Sequence, residues 1–94
     1  MRLTQNEIEI IKNEINKFIK ADVYIFGSRL NDNLKGGDVD IFISPKEKIS
    51  VKKEIKLKLL IKETLEEKLF LPVDIVFDKK NRLIDKEAKK GVLI

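Results

Sequence analysis

Ninety-four residues carrying a net charge of +4, with 43% hydrophobic and 38% charged residues, make one globular domain over residues 1–94 and leave no room for a separate substrate-recognition domain. Neither cysteine nor histidine occurs, which excludes disulfides, thiolate chemistry, histidine-dependent triads, a histidine general base and zinc sites built on histidine. No run of about 18 apolar residues and no basic-then-apolar leader is present, so no membrane span or signal peptide is expected, and the missing cysteine fits a reducing cytoplasm.

Taken in chain order, residues 4–20 read as a helix. Thr4 with Glu7 forms a capping-box signature, and Ile8, Ile11, Ile15, Phe18 and Ile19 recur at helical spacing. Residues 22–27 read as a short strand ending at Gly27. Ser28 to about Asn33 reads as one helical turn, and Lys35-Gly36-Gly37 as a tight turn, because adjacent glycines allow positive φ. Residues 38–44 form a second strand, stopped by Pro45. Residues 49–69 form a long helix with Val51, Ile55 and Leu59 on its apolar side. Its many lysines read as a solvated face rather than a nucleic-acid surface. Residues 71–78 form a third strand, entered through Pro72. Residues 81–90 form a last helix, with Gly91 placed as its C-terminal cap. The tail Val92-Leu93-Ile94 needs cover, from this chain, a partner or a second copy. The alternation predicts a mixed α/β class: a small mixed sheet of three or more strands flanked by helices. The expected core is Ile11, Ile15, Phe18, Val23, Ile25, Val39, Ile41, Ile43, Ile55, Leu59, Val73 and Ile75.

The chemistry follows from strand geometry. Side chains alternate faces along a strand, so Asp38 and Asp40 share one face while Val39, Ile41 and Ile43 point into the core. On the third strand Val73, Ile75 and Phe77 share a face and Asp74 opposes them. If the two strands are neighbours with matched core faces, three carboxylates converge. Like charges held close repel one another, and a hard divalent cation offsets them. Magnesium takes oxygen ligands and keeps water and substrate phosphates in its shell. A pair of such ions about 3.5–4 Å apart clamps the attacking and leaving oxygens in phosphoryl transfer. The strand that breaks at Gly27-Ser28 into a helical turn presents backbone N–H groups suited to phosphate. The Ser28 hydroxyl adds a donor, and Arg29 and Lys35 add charge. A basic excess across the chain suits such an anionic ligand.

The stretch "GSRLNDNLKGGDVDIFI" followed by "PVDIVF" resembles the minimal nucleotidyltransferases of the DNA polymerase beta superfamily, which accompany HEPN-domain partners in toxin–antitoxin pairs. That family carries Gly-Ser, a spacer of about ten residues, Asp-x-Asp, and a third acid on a later strand. The spacer between Ser28 and Asp38 is nine residues here, as in the family's Lys-Gly-Gly-Asp variant. The resemblance implies that Gly27, Ser28 and Arg29 bind the nucleotide and that Asp38, Asp40 and Asp74 ligate magnesium as two ions. It also implies that Asp74 helps deprotonate the acceptor. The implied reaction transfers a nucleoside monophosphate, AMP from ATP, to a tyrosine hydroxyl of a HEPN toxin, making the chain an antitoxin. Two alternatives stand beside it: an antitoxin that neutralises a HEPN ribonuclease by binding alone, and a nucleotidyltransferase acting on RNA or a small molecule. Direct nucleic-acid binding is not expected, and self-association is left open.

Overall fold

Thr4 starts the first helix as the sequence requires. In the computed structural model, which describes residues 3–26 and 39–94, its Oγ accepts from the Glu7 N–H at 3.1 Å, and Glu7 Oε1 accepts from the Thr4 N–H at 2.9 Å. This reciprocal cap satisfies two otherwise orphaned donors and opens α1, Gln5–Phe18. The chain continues through β1 (Ala21–Phe26), β2 (Val39–Pro45), α2 (Val51–Leu69), β3 (Val73–Phe77), α3 (Leu83–Ala88) and β4 (Val92–Leu93). The helical turn expected after Gly27 and the glycine turn at Gly36-Gly37 lie outside the described residues.

The strands form one sheet in the order β3-β2-β1-β4. β1 runs antiparallel to both β2 and β4, whereas β2 and β3 run parallel, joined by α2. The sheet is therefore mixed, as the sequence predicts. One face carries Val23, Ile25, Val39, Ile41, Ile43, Val73, Ile75 and Phe77, which form a single buried cluster with Ile11 and Ile15 of α1. Phe18 packs against that cluster half-buried. On the opposite face, Phe42 is fully buried and meets Tyr24 and Phe26 in edge-to-face contacts. α3 lies on this second face, tied there by Lys89 reaching Asp78 at 2.9 Å.

Three features depart from the sequence expectations. Ile55 and Leu59, expected in the core, are 63% and 64% exposed, and Val51 is 67% exposed. The helix instead buries Leu57, Ile61, Leu65 and Leu69. α2 carries two apolar stripes at i, i+4 spacing, and the stripe that runs on to the helix C-terminus is the longer. Burying it removes more apolar surface from water. Glu54, paired with Lys79 beyond β3, belongs to the same inward side. Second, Val92-Leu93, for which the sequence pattern predicts no strand, is a short edge strand paired with Tyr24 and Ile25, so the cover left open there comes in part from this chain. The Ile94 N–H donates to the Val23 carbonyl at 2.9 Å. Third, Gly91 is not a left-handed helix cap: α3 ends at Ala88, and the φ of Gly91 lies outside the left-handed region. Its value is space, since a Cβ there would stand 2.3 Å from the Ile25 carbonyl oxygen. Only glycine lets the chain pass this close to β1 on its way into β4.

Candidate active site

Parallel pairing of β2 with β3 sets Val39 beside Val73, Asp40 beside Asp74 and Ile41 beside Ile75. The valines and isoleucines are buried on the helix-covered face, so both aspartates project from the other face. Adjacent strands lie about 4.8 Å apart, which makes the two carboxylates immediate neighbours. Both stand at the second position of their strand, so they share one end of the sheet. Phe26, the last residue of β1, pairs with Asp40 from the other side. The end of β1 and the starts of β2 and β3 thus meet in one row, with the acid pair in its middle and at its edge. Asp40 is half-buried and Asp74 exposed. Gly27, Ser28, Arg29 and Asp38, the other expected site residues, lie outside the described residues.

The start of β3 is held by a device the sequence did not reveal. Glu66 Oε2 accepts from the Val73 N–H at 2.9 Å, and the Lys62 ammonium donates to the Val73 carbonyl. The two side chains also pair with each other at 3.3 Å. β3 is an edge strand, and an edge exposes unpaired backbone groups. One turn of α2 closes that gap on the residue preceding Asp74. The Val73 N–H holds the Glu66 carboxyl below the ordinary carboxylate range; partial burial and the nearby charge of Asp74 work against this, and Lys62 assists it. In the sequence, Lys62 and Glu66 look like a routine i, i+4 surface pair. Nothing in their spacing signals a backbone target on a strand seven and eleven residues onward.

Farther along the same face, Asp78 is a structural anchor rather than a member of the pair. Its side chain is fully buried. It accepts from Ser44 Oγ at 2.9 Å, from the Lys80 N–H at 2.7 Å and from Lys89. Burial pushes its carboxyl upward, but those donors outweigh burial and hold it below its ordinary value. The same contact raises Lys89. A cavity of about 320 Å³ opens beside Asp78, lined by Pro45, Lys46, Glu54 and Lys79 among others. It lies at the far end of β2 and β3 from Asp40 and Asp74. Three of the charged groups that line it are tied up in ion pairs, Lys46 with Asp22, Lys79 with Glu54 and Asp78 with Lys89, and its distance from Asp40 and Asp74 keeps it out of the acid site.

The donor chemistry of Asp40 and Asp74 fits a hard divalent cation, which favours carboxylate oxygen. Among the described residues no group of three or more acidic, histidine or cysteine side chains is placed to hold a metal. Two aspartates alone would leave such a cation's coordination set incomplete. Adjacent carboxylates at one end of a sheet are suited to phosphoryl chemistry, where positioning and charge neutralisation outweigh covalent work by the protein.

The comparisons with known proteins agree with this architecture. A crystal structure of a mutant of the toxin–antitoxin MntA-HpeT superposes with a TM-score of 0.67 at 15% identity, covering 97% of this chain and 71% of that chain. At that identity the likeness speaks for the fold. No curated protein matches the chain. The family model described as Polymerase beta, Nucleotidyltransferase matches residues 5–94, a span that takes in every helix and strand described above. The chain therefore belongs to the polymerase beta nucleotidyltransferase family.

Proposed function

We propose that the chain is a magnesium-dependent nucleotidyltransferase that moves AMP from ATP onto a hydroxyl, the acceptor being a tyrosine of a HEPN-domain toxin, and that it acts as an antitoxin. The observation that carries this reading is the register of Asp40 with Asp74, which joins two acids from separate strands in a chain of this family. The fold likeness to a toxin–antitoxin complex supports the biological setting. The mutant in that complex carries two Asp→Glu changes two positions apart, the spacing of Asp38 and Asp40 here.

In this reading Asp38, Asp40 and Asp74 hold the metal, and Gly27, Ser28 and Arg29 hold the triphosphate. The acceptor oxygen attacks the α-phosphorus, the bond from that phosphorus to the β-phosphate bridging oxygen breaks, and pyrophosphate leaves. The acceptor proton passes to Asp74, the most exposed acid of the pair, since the chain has no histidine to take it. Magnesium, when bound, neutralises charge on the phosphates and lowers the acceptor pKa. The clamp of Lys62 and Glu66 on Val73 keeps the strand bearing Asp74 in register.

The test is transfer of label from α-³²P ATP to a purified HEPN partner in the presence of magnesium. Label should move to the partner, and Asp40→Asn and Asp74→Asn should each reduce it on the order of 100-fold or more. Neutralisation of the toxin by both variants, with no label moved by the native chain, would replace this reading with inhibition by binding. Label appearing on RNA instead of the protein would move the acceptor to another class.

A further inference from the structure

The exposed stripe of α2 is the largest departure from the expected core, and it has a chemistry of its own. Val51, Ile55 and Leu59 are 67%, 63% and 64% exposed. Spaced four residues apart, they line one side of the helix over about 12 Å. The other stripe, Leu57 to Leu69, set roughly 100° round the helix, already fills the core, so this one has no task within the described residues. Helical rotation puts Lys52 and Lys56 along one flank of the stripe and Lys58 along the other. Among the described residues none of these three lysines makes an ion pair. From Val51 to Lys62 the one acidic residue is Glu54, and it is tied to Lys79. The surface is thus an aliphatic strip with cationic edges and no anions to satisfy them.

We infer that this face of α2 docks an amphipathic helix of a partner protein whose apolar side is edged by aspartate and glutamate. Three aliphatic side chains give such a helix its anchors, read at i, i+4 and i+8. The flanking lysines supply complementary charge, which governs encounter rate and partner choice more than affinity. Nucleic acid is disfavoured, because the centre of the strip offers phosphates and bases neither a hydrogen-bond donor nor an aromatic platform. A second copy is disfavoured by symmetry. A two-fold axis through Ile55 repeats the same patch on both sides and sets Lys52 of one copy against Lys58 of the other, twice over. Apart from Glu54, which is held by Lys79, the glutamates of α2, Glu63, Glu66 and Glu67, lie beyond the end of the stripe. The inference is independent of the catalytic reading and holds whether or not nucleotide is transferred.

The probe is a synthetic amphipathic helical peptide with leucines at i, i+4 and i+8 and glutamates along both edges. Its counterpart carries lysines at those edge positions. Amide chemical-shift mapping on the full ¹⁵N-labelled chain should place the acidic peptide on Val51–Leu59. Ile55→Gln should weaken it about tenfold or more, and the lysine-edged peptide should fail to bind. Lys52→Glu with Lys56→Glu should weaken the acidic peptide and admit the basic one. Thermal melts unchanged from the native chain would show that these surface variants fold. Shifts elsewhere on the chain, binding indifferent to Ile55→Gln, a concentration-dependent dimer abolished by Ile55→Gln, or an oligonucleotide mapping to this stripe would each overturn the inference.

Discussion

Replacing Ile61 by alanine, set beside the same change at Leu59, tests the rotation of α2 about its axis. The two residues are two positions apart on one helix and similar in size, yet Ile61 is fully buried and Leu59 is 64% exposed. Truncating a fully buried isoleucine leaves a cavity among Ile11, Ile15 and the strands, at a cost of about 2–5 kcal/mol. Leu59 has only about a third of its surface in contact. Full burial of such a side chain stabilises by about 1.5–3 kcal/mol, so roughly 0.5–1 kcal/mol is at stake. Alanine's better helix propensity returns part of it, about 0.2 kcal/mol. A domain of this length has a total stability of roughly 5–14 kcal/mol, so the Ile61 variant gives up a large share and the Leu59 variant little. Urea unfolding followed by far-UV circular dichroism reads the difference as a shift in midpoint at constant slope. Equal losses at both positions, or a larger loss at Leu59, would mean that the helix presents its other stripe to the sheet. That result would remove the exposed face on which partner docking was inferred.

Three further outcomes follow from local features. Phe70 caps α2 with φ 56° in the left-handed region while its side chain is 88% exposed; Phe70→Gly relieves that strain with no packing lost and should raise stability by about 0.5–1 kcal/mol in the same assay. Gly91→Ala forces a Cβ against the Ile25 carbonyl and should destabilise by about 1–3 kcal/mol, with faster hydrogen exchange at the Ile94 amide as β4 peels away. Asp85 is buried, and hydrogen bonds from the Arg82 side chain at 2.7 and 3.2 Å hold its carboxyl far below the usual range, the Arg82 N–H assisting. A carboxyl depressed in the folded state stabilises above its unfolded value near 4 and loses that contribution as pH falls below it. The stability gap between the native chain and Asp85→Asn should therefore be full at neutral pH and shrink on acidification below about pH 4; a gap independent of pH would refute the assignment.

The strands and the acid pair were legible because period-two alternation is unambiguous in "DVDIFI" and "PVDIVF". Each run has one wholly apolar face, the other carrying the aspartate followed by Phe42 or Val76, and a slip of one residue would turn the aspartate into the helix-covered core. The capping box at Thr4 and Glu7 was equally plain, being a local hydrogen-bond pattern complete within four residues. α2 misled because "VKKEIKLKLLIKETLEEKL" carries two overlapping stripes. Both repeat at i, i+4, so periodicity alone does not separate them; the stripe from Leu57 to Leu69 is one residue longer, and that is the one the sheet buries. The clamp of Lys62 and Glu66 on Val73 was invisible for a related cause: its acceptor and donor are backbone groups of an edge strand, which no side-chain pattern encodes.

What the sequence by itself determined was local in origin: which residues alternate, where glycine and proline interrupt, and that Asp40 and Asp74 oppose the apolar side of their strands. That two such strands are parallel neighbours, in the register that brings these acids together, was decided by tertiary structure. So were the buried side of α2, the pairing of the C-terminal residues as β4, and the need for glycine at position 91. The physical reason is shared. Alternation and capping are fixed by bonds within a few residues, whereas register, helix rotation and close backbone approach are fixed by which arrangement removes the most apolar surface from water while pairing every buried backbone group.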